Sequence, residues 1–149
     1  MIVLSGKDTA AKIEPQLPGS VVESGSDTLI VKKDSLLAVA TLLKQTAGLD
    51  FDYLASVTST DYGDYFEVVY HLTSMQHTHS LILKTRIYGR DNPTVPSVIS
   101  LWKGADLQER EIFDLMGIKF EDHPNMKRIV LYEGFEGHPL RKDYWEWTA

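Results

Sequence analysis

The 149-residue sequence contains no cysteine. This absence excludes disulfide bridges, thiolate zinc sites, cysteine-ligated iron–sulfur clusters and a cysteine nucleophile. No apolar run reaches the roughly 20 residues that a membrane-spanning helix needs. The first residues also lack the basic and apolar regions of a signal peptide. We therefore expect a cytoplasmic, soluble protein that a partner would have to hold at any membrane.

Nucleotide-binding and nucleophile motifs are missing as well. The sequence has no Gly-x-Gly-x-x-Gly, no phosphate-binding loop ending in Gly-Lys-Ser/Thr and no Gly-x-Ser-x-Gly elbow. It is acidic, with 15 Lys and Arg against 21 Asp and Glu and a net charge of −6, which disfavours general binding to a phosphate backbone. The length and the 43% share of hydrophobic residues indicate one globular domain.

The first third of the chain changes from irregular to strongly periodic. Residues 1–20 are predicted to be loosely ordered because Pro15 and Pro18 interrupt any pattern. Short strands are expected around residues 21–23 and 28–32. Apolar residues then recur at helical spacing, which predicts a helix that ends near Gly48. These apolar residues are Leu36, Val39, Ala40, Leu43 and Ala47.

Three runs of alternating apolar and polar residues follow, over residues 51–58, 65–72 and 81–87. Short turns join them, so they predict an antiparallel meander. Together with the preceding helix they indicate an α+β fold, in which an antiparallel sheet of about four strands carries helices on one face.

The last third is charged and largely irregular. A short helix is predicted from Ser97 to Trp102 and a second from Asp106 to Met116, ended by Gly117. Beyond it, Pro124 and Pro139 disfavour regular structure. We therefore divide the chain into a loosely ordered segment (residues 1–20), an α+β core domain (residues 21–120) and an extended C-terminal docking strap (residues 121–149).

Several charged residues leave more than one interpretation open. Arg110 and Asp114 stand four residues apart and can pair on one helical face. Glu111 shares a side with Asp114, and His123 and His138 could complete a set of metal ligands. A small metal-dependent enzyme is therefore one alternative function, although this spacing matches no compact metal motif.

A second cluster lies at the end of the chain. Arg141 and Lys142 precede the aromatic residues Tyr144, Trp145 and Trp147. Cations beside aromatic rings can bind single-stranded nucleic acid, and the same composition is typical of protein interfaces. The acidic total favours the interface over nucleic acid.

Two charged blocks in the last third carry a family resemblance. The first is Glu109-Arg110-Glu111 followed by Asp114, Gly117-Ile118, Phe120, His123-Pro124 and Arg128, and the second is Gly137–Asp143. Their order and spacing resemble those of the 30 kDa subunit family of NADH-quinone oxidoreductase, the respiratory complex I. The resemblance extends from about Thr28 to Tyr144. The chain departs from it at Leu107-Gln108, where an aromatic pair is common.

The resemblance implies a non-catalytic structural subunit in the peripheral arm of a proton-translocating NADH-quinone oxidoreductase. Its main partner would be the subunit that forms the quinone cavity, at the cytoplasmic face of the membrane. No catalytic, cofactor-binding or metal-binding residue is expected in this chain, and other subunits would carry the FMN and the iron–sulfur clusters. Equivalent subunits of ferredoxin-linked complexes and membrane-bound hydrogenases remain an alternative.

The same resemblance selects ten candidate residues for a subunit interface. All are charged residues or histidines of the two blocks and the segment between them. They are Glu109, Arg110, Glu111, Asp114, His123, Arg128, His138, Arg141, Lys142 and Asp143.

Overall fold

The computed structural model describes residues 1–144 and shows an α+β fold, which confirms the predicted class. The α-helices in this part are α1 (Gly6–Ile13), α2 (Leu36–Gln45) and α3 (Ala105–Met116), and a short 3-10 helix (Lys33–Ser35) precedes α2. The strands are β1 (Ile2–Val3), β2 (Val21–Ser24), β3 (Thr28–Val31), β4 (Tyr53–Asp61), β5 (Tyr65–Ser74), β6 (His79–Tyr88), β7 (Thr94–Pro96) and β8 (Lys119–Glu121). Among the helices within residues 1–144, none has the length and apolar character that crossing a bilayer requires.

The predicted antiparallel meander is formed by β4, β5 and β6. The complete sheet is larger than expected: it has six strands in the order β2-β3-β6-β5-β4, with β1 also on β6. Both β1 and β3 pair with β6 in parallel, so the sheet is mixed. Parallel pairing joins distant segments, such as Thr28 with Ile82, and leaves no local pattern in the sequence.

The core lies between one face of this sheet and the helices. Cross-strand neighbours such as Tyr70 and Leu83 point to this face. They share one buried cluster with Ile13 of α1, Leu43 of α2 and Ile112 of α3. At roughly 25 cal/mol per Å² of buried apolar surface, this cluster is the main stabilising contribution to the fold.

Residues 1–20 are more regular than predicted, because they contain β1 and α1. Ser5 caps α1 by accepting the N–H of Asp8 at 3.3 Å. Gly6 allows close packing, since a Cβ atom at this position would lie 1.9 Å from the carbonyl oxygen of Thr28. The helix has only eight residues, too few to give a clear periodic signal before Pro15.

The helix predicted from Ser97 to Trp102 is instead a turn. The N–H groups of Leu101 and Trp102 both donate to the carbonyl of Val98, and a second turn, in which the N–H of Ala105 donates to the carbonyl of Trp102, leads into α3. The indole of Trp102 donates to the carbonyl of Phe51 at 3.0 Å and anchors the turn on the core. Helix α3 and its end at Gly117, which has φ of +75°, agree with the prediction.

The described part of the C-terminal strap has little regular structure. From Asp122 to Asp143 it consists of turns, bends and irregular backbone. The short strand β8 precedes it and pairs with β7 in parallel. The strap nevertheless returns to the core, as the N–H of Leu140 donates to the carbonyl of Leu115 in α3 at 2.9 Å.

Candidate functional site

The charged residues of helix α3 differ in their exposure to solvent. Glu109 and Asp114 are both 0% exposed, whereas Glu111 lies on the solvent side. Two carboxylates buried on one helix are unusual, because each must be fully paired or hydrogen bonded to offset its lost hydration. The hydrogen-bond partners of Glu109 and Asp114 therefore show which segments of the chain this helix holds in place.

Asp114 is the point at which the C-terminal strap attaches to α3. Its Oδ2 accepts the N–H groups of Ile129, Val130 and Leu131 at 3.1, 2.7 and 2.8 Å. Its Oδ1 accepts a hydrogen bond of 2.6 Å from Nη1 of Arg128. One buried carboxylate thus satisfies three consecutive backbone donors and one cation.

The surroundings of Asp114 favour its ionised form. Burial alone would raise the pKa of this carboxyl. The N–H of Leu131, the Arg128 guanidinium and the N–H groups of Val130 and Ile129 act together against burial and lower the pKa below its ordinary value of 3.8.

Further contacts extend the attachment along the strap. Arg128 also donates through Nη2 to the carbonyl of Gly137 at 2.9 Å. Nδ1 of His138 lies 2.9 Å from the carbonyl oxygen of Asp114, so this nitrogen carries a proton. The His138 ring covers Gly117, where a Cβ atom would lie only 2.7 Å from the ring.

A second cluster attaches the closing block to the sheet. Arg90 donates to both carboxylate oxygens of Asp61, at 2.8 and 2.7 Å, and also contacts Asp143 at 3.1 Å. Arg141 donates to Asp143 at 3.1 Å, and the N–H of Lys142 donates to Asp61 at 2.9 Å. The network therefore joins the end of β4, the loop after β6 and the strap.

The charges in this second cluster reinforce one another. The Arg90 guanidinium holds the pKa of Asp61 well below its usual range, and Asp61 in turn raises the pKa of Arg90. Both Arg90 and Arg141 also stack over the ring of Phe66, at 4.8 and 5.1 Å from its centroid. The planar guanidinium groups thus close one end of the hydrophobic core.

Glu109 holds the loop at Ser97 and Val98, whereas His123 lies within the strap and contacts Asp106 of α3. Glu109 accepts the hydroxyl of Ser97 at 2.5 Å and the N–H of Val98 at 3.0 Å, while burial raises the pKa of its carboxyl. His123 accepts the N–H of Asn125 through Nδ1 at 3.0 Å.

Of the remaining candidates, Arg110 forms hydrogen bonds within the chain, whereas Glu111 and Lys142 are exposed to solvent. Arg110 does not pair with Asp114 as helical spacing predicts, because Asp114 is taken by Arg128. Arg110 instead donates to the carbonyls of Lys127 and Arg128 at 3.1 and 3.4 Å.

The hypothetical metal ligands are not brought together. Within residues 1–144 the structure forms no group of three or more histidine, aspartate or glutamate side chains that could hold a metal ion. Asp114 is occupied by Arg128 and backbone N–H groups, and Glu111 is exposed. Of the aromatic residues in the nucleic-acid hypothesis, Trp145 and Trp147 lie outside the described residues.

Sequence reasoning missed Asp61 and Arg90. Asp61 precedes Tyr62-Gly63, and its sequence context indicates only a turn, a role that it also fulfils by accepting the N–H of Gly63 at 2.8 Å. Arg90 lies in a loop, and its partner Asp143 is 53 residues away. The sequence signal for this contact is a pair of opposite charges around the predicted strands 65–72 and 81–87. Asp61 precedes the first of these strands and Arg90 follows the second.

The strap presents apolar side chains on its outer surface. Val130, Tyr132 and Leu140 are 57%, 71% and 61% exposed, close to the residues that anchor the strap. Exposed apolar side chains grouped on a well-fixed backbone are typical of protein interfaces. The buried charges fix the shape of this surface, and these apolar groups are available for contact.

The sequence is similar to those of known proteins. The sequence matches the family model described as "Respiratory-chain NADH dehydrogenase, 30 Kd subunit" over residues 29–147. It is 43% identical to the NADH-quinone oxidoreductase C subunit of Moorella thermoacetica over 137 residues, covering 89% of this chain and 90% of the relative. It is 42% identical over 104 residues to a Phocaeicola vulgatus protein whose name covers both the C and the D subunits of NADH-quinone oxidoreductase, with 69% of this chain and 20% of that one in the match.

A solved structure shares the fold. A chain of the membrane-bound sulfane sulfur reductase, an archaeal respiratory membrane complex, matches with a TM-score of 0.74 at 24% identity. The match covers 93% of this chain and 84% of that chain. At this level of identity the likeness bears on the fold alone.

Proposed function

The chain belongs to the family of the 30 kDa subunit of the respiratory-chain NADH dehydrogenase, and we propose that it serves in that complex as a non-catalytic docking subunit of the peripheral arm. As a member of this family it is a subunit of an NADH-quinone oxidoreductase-type complex, so its partners are other subunits. Its own contribution is a shaped surface, built from the C-terminal strap.

The attachment of the strap by Asp114 is the observation that carries this proposal. A buried carboxylate that binds three backbone N–H groups and Arg128 fixes the path of residues 128–131 before any partner arrives. Ordering the strap in advance reduces the entropy lost on binding. Val130 and Tyr132 then lie exposed on a backbone that is already ordered.

We propose the quinone-cavity subunit as the main partner, at the cytoplasmic face of the membrane. The name of the Phocaeicola vulgatus relative joins the C and D subunits in one chain, which supports a direct contact between these two subunits. Membrane association would pass through partner subunits. In this proposal the chain binds no cofactor, and FMN and the iron–sulfur clusters reside elsewhere in a proton-translocating complex.

Purification of this chain from its own membranes tests the proposal. A tagged chain extracted in mild detergent should retain the quinone-cavity subunit, the cluster-bearing subunits and a flavin-binding subunit, identified by mass spectrometry. A flavin-binding subunit that accepts NADH would identify the electron donor, and a ferredoxin- or hydrogen-linked set would favour the alternative complexes. Recovery of the chain without any such subunit would contradict the proposal.

A further inference from the structure

A cationic cleft lies between helix α3 and the start of the strap. It has a volume of about 400 Å³ and is lined by Arg110, Lys127, Arg128, Glu133 and Gly134. Three cations and one carboxylate meet here in a chain whose net charge is −6. The cleft is therefore locally positive, although the chain as a whole is acidic.

The cations of the cleft are unequally compensated. Arg128 is neutralised by Asp114, at 2.6 Å. Neither Arg110 nor Lys127 forms an ion pair with any residue of 1–144. Two positive charges without an ion-pair partner among residues 1–144 thus line the cleft. Glu133 is the one carboxylate among the described residues of its lining.

Arg110 is held in a fixed orientation. Its Nε and Nη2 donate to the carbonyls of Lys127 and Arg128, at 3.1 and 3.4 Å. A guanidinium group has five N–H donors, so three remain available after these two bonds. A cation fixed by backbone contacts loses little side-chain entropy when it binds a carboxylate.

Exposed apolar residues adjoin the cleft residues in the sequence. Ile129, Val130 and Tyr132 are 40%, 57% and 71% exposed, immediately after Arg128. A small free anion would leave these side chains in water, whereas a protein segment can cover them while it places a carboxylate in the cleft. Charge complementarity together with these exposed apolar residues selects a protein segment as the occupant.

We propose that the cleft formed by Arg110, Lys127 and Arg128 binds an acidic segment of a neighbouring subunit, with apolar residues of that segment against Val130 and Tyr132. This inference rests on the proposed function and names the chemistry of the partner surface. Arg110 and Lys127 provide the recognition, and the Asp114–Arg128 pair keeps the cleft in shape.

Carbodiimide cross-linking of the intact complex tests the proposal, because this reagent joins a lysine to a carboxylate in direct contact. Peptide mapping should find Lys127 linked to an aspartate or glutamate of another subunit. The link should disappear in Lys127→Arg, which keeps the charge but lacks the reactive amine. Lys7 is the control lysine, since it lies on α1, which packs on β2 and β3 at the opposite end of the sheet.

The possible results separate the two proposals. A link from Lys127 only to Glu133 of the same chain, or no link at Lys127 in a complex that still contains the subunit, would overturn the cleft proposal alone. If the wild-type chain co-purified with no partner, the proposed function itself would be contradicted.

Charge reversal provides an independent measurement in the complex. Lys127→Glu should raise the dissociation constant of this subunit about fivefold at physiological salt, and the effect should shrink as salt increases. Lys7→Glu should leave the dissociation constant unchanged. Equal effects of the two substitutions would overturn the assignment of the cleft.

Discussion

Arg128 donates a hydrogen bond of 2.6 Å from Nη1 to Oδ1 of Asp114. This pair joins the beginning of the strap to the last turn of α3, and the other oxygen of the carboxylate binds the N–H groups of residues 129–131. Asp114 thus links the first charged block of the sequence to the backbone between the two blocks.

Replacing Asp114 by asparagine should destabilise the chain strongly. The amide keeps the shape of the carboxylate but turns one acceptor into a donor that faces Arg128 or the backbone N–H groups. Breaking a buried ion pair in this way costs about 3 kcal/mol. Urea unfolding of the purified chain should show this loss, and trypsin should cleave sooner after Arg128.

Glu111→Gln is the matched control for this substitution. Glu111 lies on the same helix but is exposed, so its substitution should change the free energy of unfolding by less than about 0.5 kcal/mol. Similar losses for both variants would show that Asp114 does not have the anchoring role assigned to it.

The buried aspartates should make the chain sensitive to acid. The pKa values of Asp61 and Asp114 are lowered in the folded protein from an ordinary value of 3.8. As the pH falls, the unfolded chain therefore takes up protons at these two groups before the folded chain does. The stability that they contribute is fully present above pH 3.8 and is lost as the pH falls through their folded pKa values. The raised pKa of Glu109 has the opposite sign, so its contribution is lost as the pH rises.

Unfolding free energies measured between about pH 7 and about pH 2.5 test this dependence. Wild-type stability should fall steeply at the acid end of the range. Asp61→Asn should start from a lower stability and follow a flatter curve there, because it no longer takes up that proton. A variant curve parallel to the wild-type curve would show that Asp61 does not contribute to acid sensitivity.

Gly117→Ala should destabilise the chain for two separable reasons. Its φ of +75° disfavours a side chain, and the added Cβ would lie 2.7 Å from the ring of His138. Gly134 has φ of +91° but no neighbouring atom within 4 Å, so Gly134→Ala isolates the cost of the backbone conformation. We expect a loss of about 1 kcal/mol for Gly134→Ala and at least about 2 kcal/mol for Gly117→Ala.

Thermal or urea unfolding of the two alanine variants supplies the comparison. The difference between them measures the packing of His138 against the end of α3. Equal losses would mean that the ring moves away at no cost and that His138 does not fix the strap at this point.

Tyr70→Phe should be neutral or stabilising. The hydroxyl of Tyr70 is buried and has no hydrogen-bond partner among the described residues. Since a buried unsatisfied hydroxyl opposes folding, its removal should change stability by between zero and a gain of about 1 kcal/mol. Tyr70→Ala, which empties the site, should cost at least about 3 kcal/mol in the same urea assay. A clear loss for Tyr70→Phe would contradict this account of the hydroxyl.

The elements with a clear period were predictable from the sequence. Helices α2 and α3 and the strands of the meander have apolar residues at regular spacing over eight or more positions. In β4 the alternation fails locally, because a bulge between Leu54 and Ser56 leaves Tyr53 exposed while Leu54 and Val57 are buried. A bulge depends on the pairing with β5, which the single strand does not encode.

The candidate residues were recognisable, but their partners were not. The two charged blocks identify Asp114 and Arg128 as important residues, yet helical spacing favours Arg110 as the partner of Asp114. The actual ion pair spans 14 residues and requires the strap to fold back on α3. The contact between Asp61 and the N–H of Lys142 spans 81 residues and follows only from the complete fold.

The most direct test of a docking role is the turnover of NADH with quinone per assembled complex in an Arg141→Ala strain. Arg141 holds Asp143 and the loop carbonyl of Arg90, so its loss should loosen the closing block of the strap. We predict less assembled complex in native gels, with unchanged turnover for each complex that does assemble. A fully assembled complex without turnover would contradict a purely structural role for this protein.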